Sequence, residues 1–171
     1  MKAPIINIGD VECHGFRKAL PAHLNERYGG VRIGEVGTTI GAQKLGYNVT
    51  AVPPGERAFP LHNHRINEEM FFVIEGTGEI RIGDATHAIR AGDVIACPPG
   101  GPESAHQIVN TSDSELRYLA ISTLMSPEIC EYPESGKFGV MTERPTQGGG
   151  ESWTFRYLGR SGNSLSYWDG E

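Results

Sequence analysis

Short apolar segments separated by turn residues fill the middle of the sequence, and they restrict the fold more than any other feature. In 44–52, KLGYNVTAV, apolar side chains recur at every second position, which is typical of a half-buried β-strand. Similar segments follow, each ended by glycine, proline or a polar turn. They are Phe59 to His64, Glu69 to Glu75, Gly78 to Ile82, Ala85 to Arg90, Val94 to Cys97, His106 to Asn110 and Leu116 to Ser122. An antiparallel all-β fold that closes into a barrel or jelly roll is therefore predicted.

The composition agrees with many short strands, because the 171 residues include 23 glycines and 11 prolines. A chain of this length is expected to form a single domain. Within it we expect a barrel core at about 41–125, an N-terminal extension over 1–40 and a C-terminal extension over 126–171.

The two extensions have less regular patterns. A short helix or turn is expected around Lys18 to Glu26, interrupted by Pro21. Beyond Met125 the sequence is poor in periodic structure, and TQGGGES at 146–152 is typical of a flexible connector. The tail also carries aromatic residues that are costly to leave in water, so we expect parts of it to pack on the barrel or on a second subunit. These residues are Trp153, Phe155, Tyr157, Tyr167 and Trp168.

The charge and hydropathy of the chain argue against two classes of partner. The net charge of -6, without a Lys/Arg cluster to offset it, disfavours nucleic acid. No segment approaches the roughly 20 apolar residues of a membrane-spanning helix, and the apolar patch of MKAPIINIGD is too brief for a signal-peptide core. A cytoplasmic protein with a small-molecule partner is expected.

The three cysteines are Cys13, Cys97 and Cys130, and their wide spacing indicates neither a disulfide framework nor a cysteine-based zinc site. Inert thiols are the simplest interpretation. Cys97 stands out because it adjoins the loop PPGG, where a thiol near a metal could tune the metal or be oxidised.

The segment FPLHNHRINEEMFF, residues 59–72, carries a candidate metal site. Residues two apart on a strand face the same way, so His62 and His64 project side by side, roughly 6.6 Å apart at the backbone. Glu69 shares its parity with Phe71 and is therefore expected to point into an apolar interior, where an unpaired carboxylate costs several kcal/mol. A bound cation would offset that cost.

His106 is the fourth candidate ligand, because it begins a strand just after the loop CPPGGPESA. Three imidazoles and one carboxylate suit a divalent first-row ion such as Zn, Mn, Fe or Ni, one per chain. The set leaves coordination positions open for substrate, water or dioxygen, which favours an enzyme.

These two stretches strongly resemble the paired motifs of the cupin superfamily. The first motif, with one extra residue in its first gap, is filled by Gly55, His62, His64, Glu69 and Gly76. The second, with three extra residues before its histidine, is filled by Gly92, Pro98, Gly100, His106 and Asn110. The resemblance covers about Gly41 to Leu124. It implies a small antiparallel barrel, or double-stranded β-helix, with one metal ion bound inside it by the three histidines and the glutamate.

The flanks are similar to those of a group of uncharacterised bacterial single-cupin proteins, of which some carry the label of sugar-phosphate isomerase. The similarity lies in SPEICEYPESGKFGVM at 126–141 and in the terminal YWDGE. Cupins also commonly dimerise through outward apolar faces. The stripe of Met70, Phe72 and Ile74 is either such a homodimer face or is covered by the N-terminal segment or the tail.

Two classes of enzyme fit the predicted site, and a third, non-catalytic function competes with them. A redox-inert ion would assist isomerase, lyase or hydrolytic chemistry, whereas iron would support a dioxygenase. The base would be Glu69 itself, Glu68 or a hydroxide on the ion. The alternative is a cupin that only binds or senses a small ligand.

Several residues have simpler interpretations. Glu68 has the opposite parity to Glu69 and is expected to face solvent. His14, His23 and His87 lack comparable partners and are expected to be ordinary surface or cross-strand histidines. A phosphorylated substrate would need basic residues aimed into the cavity. Arg81 is expected to face outward, which leaves Arg57, Arg65 and Lys137 as candidates.

Overall fold

The computed structural model describes residues 3–15, 20–144 and 153–171. Its two α-helices are α1 (Ala22–Tyr28) and α2 (Gly37–Ile40), and its three short 3-10 helices are Ile8–Asp10, Pro102–Ser104 and Ser161–Asn163. The strands are β1 (His14–Gly15), β2 (Arg32–Glu35), β3 (Leu45–Val52), β4 (Asn63–His64), β5 (Glu69–Glu75), β6 (Thr77–Ile82), β7 (Ala85–Arg90), β8 (Val94–Cys97), β9 (His106–Val109), β10 (Leu116–Thr123), β11 (Glu128–Tyr132), β12 (Lys137–Arg144) and β13 (Trp153–Arg160).

The strands form three antiparallel sheets. A six-stranded sheet has the order β1-β2-β3-β10-β5-β8, a four-stranded sheet β13-β12-β11-β4, and a three-stranded sheet β7-β6-β9. The prediction of an antiparallel all-β fold is confirmed, and the crossovers between non-consecutive strands are those of a jelly roll.

The main core lies between the six-stranded and the three-stranded sheets. Phe71 and Val73 enter it from β5, as their parity predicted, and Ile80 and Ile108 meet them from β6 and β9. On β10, Tyr118 places its ring edge-on to Phe71, with 5.5 Å between the ring centroids. This core forms an apolar wall behind Glu69, which begins β5.

A second apolar cluster lies on the outer face of the six-stranded sheet. Val11, Ile6 and Ile8 of the N-terminal segment cover Val49 of β3 and Ile74 of β5. The expectation of a half-buried strand is therefore wrong for 49–52, which is buried on both faces. The outward stripe is covered by the N-terminal segment only in part. Phe72 is 37% exposed and lies opposite Val94, which is 67% exposed.

The strand bounds follow the local pattern closely through the centre of the chain. Glu69–Glu75, Ala85–Arg90 and Val94–Cys97 have the bounds that the sequence predicted. The strand expected from Phe59 is shorter, since only Asn63–His64 pairs as a strand, while His62 forms an isolated bridge with His106.

The extensions depart further from expectation. The helix expected at 18–26 begins at Ala22, directly after Pro21, and residues 16–19 lie outside the described residues. The expectation of little periodic structure beyond Met125 is wrong, because β11 to β13 form a meander there. The connector predicted at 146–152 lies outside the described residues.

The tail aromatics do not pack on the core of this chain. Phe155, Tyr157, Tyr167 and Trp168 are between 45% and 86% exposed, so these four do not pack on the barrel, and their packing on a second subunit stays a prediction. Trp153 lies in β13, but its side chain is outside the described residues. Among the described residues, no helix combines the length and apolar character needed to cross a membrane.

Candidate metal centre

The four predicted ligands come from three places in the fold that backbone pairing brings together. His64 ends β4, and Glu69 begins β5. His106 begins β9 and exchanges two backbone hydrogen bonds with His62, in which the N–H of His106 donates over 2.8 Å and that of His62 over 3.2 Å. The extra residues before His106 form the 3-10 helix Pro102–Ser104, so the longer loop still delivers this histidine to the site.

Three imidazoles converge on one carboxylate oxygen. The distances from Glu69 Oε2 to the Nε2 atoms are 2.8 Å for His106, 3.4 Å for His64 and 4.0 Å for His62. The ring centroid of His62 lies 5.1 Å from that of His64 and 4.9 Å from that of His106. Ligand atoms of His62, Glu69 and His106 all lie within 4.8 Å of one another. The structure therefore places all four residues together.

Burial and mutual charge control the protonation of this cluster. Burial, with neighbouring His106 adding to it, lowers the pKa of His62 to about 4. Burial alone would raise the pKa of Glu69, but its hydrogen bond with His106 and the nearby imidazole of His64 hold that pKa well below its usual range. Burial would likewise lower the pKa of His64, but the carboxylates of Glu69 and Glu128 raise it above its usual value. Glu69 is therefore an ionised carboxylate within an enclosure of imidazoles.

The donor set fits a divalent cation. Both ring nitrogens of His64 are buried and lack a hydrogen-bond partner among the described residues. His62 Nδ1 lies 2.8 Å from the carbonyl of Pro60, which leaves Nε2 directed at the cluster. Imidazole nitrogens held by a second partner, together with one carboxylate, are the ligands that first-row divalent ions prefer.

The comparisons with known proteins agree with the motifs. The sequence model of the cupin domain family Cupin_2 matches residues 48–122. Protein SchB of Streptomyces halstedii is 36% identical over 96 residues, which cover 56% of this chain and 67% of SchB. The chain belongs to the cupin family.

Two further proteins extend the comparison. The oxalate-binding protein of Thermotoga maritima is 31% identical over 74 residues, and the match spans 43% of this chain and 58% of that protein. A crystal structure named as a sugar phosphate isomerase of the cupin superfamily, from Silicibacter pomeroyi, has a TM-score of 0.76 at 23% identity. That match covers 96% of this chain and 98% of the other. The match shows that the two chains share one fold over nearly their whole lengths.

Sequence reasoning missed a buried carboxylate of this cupin. Glu128 of β11 is 6% exposed, and its Oε2 lies 3.6 Å from Nδ1 of His64. Its carboxylate accepts the backbone N–H of Asn67 over 2.9 Å and that of Ile129 over 2.8 Å, as well as the side-chain amide of Asn67. The sequence offered no apolar alternation around Glu128 that could have marked it.

The cysteine that adjoins the histidines is not the one that the sequence singled out. Cys97 lies opposite Glu69 across β5 and β8 but packs in the apolar core. Cys130 of β11 instead has its Sγ within 4.8 Å of ring nitrogens of His62 and His64. Cys97 is thus the buried thiol that the simplest interpretation predicted, and the position of Cys130 was not predicted because β11 was not predicted.

Two cavities meet at the cluster. The inner one, about 180 Å³, is lined by aromatic side chains that include Phe59, Phe71 and Tyr118. The outer one, about 350 Å³, carries polar side chains of Gln43 and Thr142 among others. Both cavities are bordered by His64 and Glu69, so these two candidate ligands lie where the cavities adjoin.

The remaining histidines and Glu68 lie away from the cluster. His14, His23 and His87 are exposed, as expected. Glu68 is exposed too, and its backbone N–H donates to Thr123 Oγ1 over 3.0 Å. Alternation along β5 therefore separates Glu68 from Glu69, as the parity argument predicted.

Proposed function

We propose that this cupin is an enzyme that binds one divalent metal ion and acts on a small, oxygen-rich polar metabolite. The ligands would be His62, His64, Glu69 and His106, and the ion would be Zn, Mn, Fe or Ni. The observation that carries the proposal is the approach of three Nε2 atoms to the single Oε2 of Glu69, at 2.8 to 4.0 Å. A carboxylate this buried needs positive charge, and a metal ion held by neutral imidazoles supplies it.

The chain's own residues would bind and orient the substrate beside the ion. When bound, the ion supplies Lewis-acid polarisation of substrate oxygens, or redox chemistry if it is iron. Phe71 and Tyr118 would exclude water from the inner cavity, which strengthens electrostatic interactions there. Glu69 is the proposed catalytic carboxylate, since Glu68 is exposed. Isomerisation and dioxygenation are the two reaction classes that this arrangement supports.

The proposed substrate class draws on the outer cavity and on the relatives. The cavity of about 350 Å³ presents hydroxyl and amide groups, which suit a hydroxylated molecule. The names of two relatives, a sugar phosphate isomerase and an oxalate-binding protein, both concern small oxygen-rich molecules. For a phosphorylated sugar, Lys137 is the candidate contact from outside the two cavities, since it borders neither of them. Its Nζ lies 5.2 Å from the ring centroid of Tyr132, and that ring stacks on His62. Arg65 is engaged by Glu131 instead.

The alternative function is a cupin that binds a small ligand without turning it over. The name of the oxalate-binding relative favours this alternative. A binder would hold metal and ligand equally well but would release the ligand unchanged. Product analysis therefore separates the two functions.

The experiment begins with elemental analysis of protein purified without chelator. We expect about one divalent ion per chain, retained by His87→Ala and lost by His64→Ala, because only His64 belongs to the cluster. Oxygen consumption and product formation are then measured on a panel of 1,2-dioxygenated molecules, sugars and sugar phosphates. Equal metal loss in both variants, or substoichiometric metal that titration cannot restore, would contradict the proposed site.

We further propose that the protein is a homodimer located in the cytoplasm. The exposed pair Phe72 and Val94 and the exposed aromatics of the tail are the surfaces that a second copy would cover. Measurement of the mass in solution tests the dimer.

A further inference from the structure

A buried thiol adjoins the histidine pair from a strand that lies outside the family match at 48–122. β11 pairs with β4 so that Cys130 is directly opposite His64. Opposed residues of an antiparallel pair project to the same face, with their Cβ atoms roughly 5 Å apart. Cys130 is 3% exposed, and its Sγ lies within 4.8 Å of a ring nitrogen of each of His62 and His64.

The neighbours of Cys130 on β11 show which way the thiol faces. Glu128, Cys130 and Tyr132 alternate along the strand and therefore share a face. Glu128 Oε2 lies 3.6 Å from His64 Nδ1. Tyr132 stacks on His62, with 6.1 Å between the ring centroids and 21° between the ring planes. Cys130 lies between these two contacts, so its side chain is directed at the histidine pair.

We propose that His62, His64 and Cys130 form an alternative site for a thiophilic metal ion of the class of Cd²⁺, Cu⁺ or Zn²⁺. The inference rests on the proposed function for the two histidines and adds a ligand of different chemistry. Thiolate and imidazole suit soft and borderline ions, whereas the carboxylate of Glu69 suits harder ions such as Mn²⁺. His62 and His64 would thus bind a thiophilic ion together with Cys130, or a harder ion together with Glu69.

The geometry is close to what such an ion needs. Bonds of about 2.0 Å to nitrogen and 2.3 Å to sulfur place tetrahedral ligand atoms about 3.5 Å apart. The three atoms lie within 4.8 Å, so movements of about 1 Å complete the site. Binding forms a metal–sulfur bond and releases the thiol proton to solvent, with no change in oxidation state. An ion with high affinity for sulfur is suited to displace that proton.

Titration of the metal-free, reduced protein with Cd²⁺ tests the site through the ultraviolet thiolate-to-cadmium charge-transfer band. Cys97→Ser is the matched control, because Cys97 is also a buried free thiol but packs in the apolar core. We expect the band in the wild type and in Cys97→Ser, and its loss in Cys130→Ser. The Cd²⁺ affinity should fall at least tenfold in Cys130→Ser, while its Mn²⁺ affinity stays within twofold of the wild type.

Persistence of the band in Cys130→Ser would overturn the inference. Should that variant fail to fold, X-ray absorption of the cadmium-loaded wild type decides, since a coordination shell without sulfur overturns the inference equally. Mn²⁺ binding by a wild type that shows no cadmium–thiolate band would remove this site alone. A cadmium–thiolate band in a protein that binds no Mn²⁺, Fe²⁺ or Ni²⁺, and Zn²⁺ only through Cys130, would support this site and remove the proposed function.

Discussion

Replacing Glu128 by glutamine tests whether this carboxylate positions His64 for the metal. The substitution keeps the shape of the side chain but replaces one acceptor oxygen by an NH₂ donor. Each oxygen of Glu128 faces a backbone N–H at less than 3 Å, from Asn67 on one side and from Ile129 on the other. Either orientation of the new amide therefore leaves one of these donors without an acceptor.

Two effects are expected for this variant, one on the free energy of unfolding and one on the metal affinity. A buried donor without its acceptor costs about 1–3 kcal/mol of unfolding free energy. His64 also loses the negative partner beside its Nδ1, and removal of such a partner from a ligating histidine lowers metal affinity about 10–100-fold. That loss corresponds to about 1.4–2.7 kcal/mol of binding free energy, because 1.4 kcal/mol is tenfold.

Calorimetric titration of the metal-free protein with Mn²⁺ gives the affinity, and urea unfolding gives the stability. Glu134→Gln is the control, because Glu134 is 59% exposed and pairs with Arg81 at the surface. Such a pair contributes about 0–1 kcal/mol. Circular dichroism establishes that both variants are folded. If folded Glu128→Gln bound Mn²⁺ as tightly as Glu134→Gln, the positioning role of Glu128 would be refuted.

Two further predictions concern stability, and urea unfolding measures both. Gly76→Ala should destabilise the protein more than Gly55→Ala. Both glycines have a positive φ, which costs another residue about 1–2 kcal/mol of stability. Only at Gly76 would the added Cβ lie 2.4 Å from the carbonyl oxygen of Glu115, and this clash adds about 1–3 kcal/mol. Equal losses would contradict this steric argument. Asn110→Ala should lose about 2–4 kcal/mol, because the buried amide donates to two backbone carbonyls and accepts twice from Ser112. A loss below about 1 kcal/mol would show that these hydrogen bonds contribute little.

The central strands could be predicted from the sequence because local signals determine them. In β5 the alternation of Phe71 and Val73 with outward residues matches burial on the inner face, and Gly76 ends the strand at a positive φ. The same alternation predicted that Glu69 points inward, and the cupin resemblance implied that it meets the histidines there. The parity argument for the four ligands depends only on strand geometry, so it needed no knowledge of the tertiary structure.

The C-terminal strands escaped prediction for a physical reason. β11 presents Glu128, Cys130 and Tyr132 to the histidines and Ile129 to the other side. Its inner face is polar because it borders the candidate site, so the usual relation between hydrophobicity and burial fails there. β13 does alternate Trp153, Phe155 and Tyr157 with other residues, and this period-two signal was overlooked because the segment follows a glycine-rich connector. The position of Cys130 beside the histidines could not be predicted without this strand.

The pairing of β4 with β11 has a consequence for how this protein can be divided. β4 has only two residues, and its partner in the four-stranded sheet begins six positions beyond the family match. A fragment trimmed to the cupin motifs would keep the side chains of His62, His64, Glu69 and His106. It would lose β11, whose backbone pairs with that of β4 at His64. Motif boundaries are therefore poor guides for truncation in this chain, because a fragment that is to retain the candidate site needs β11.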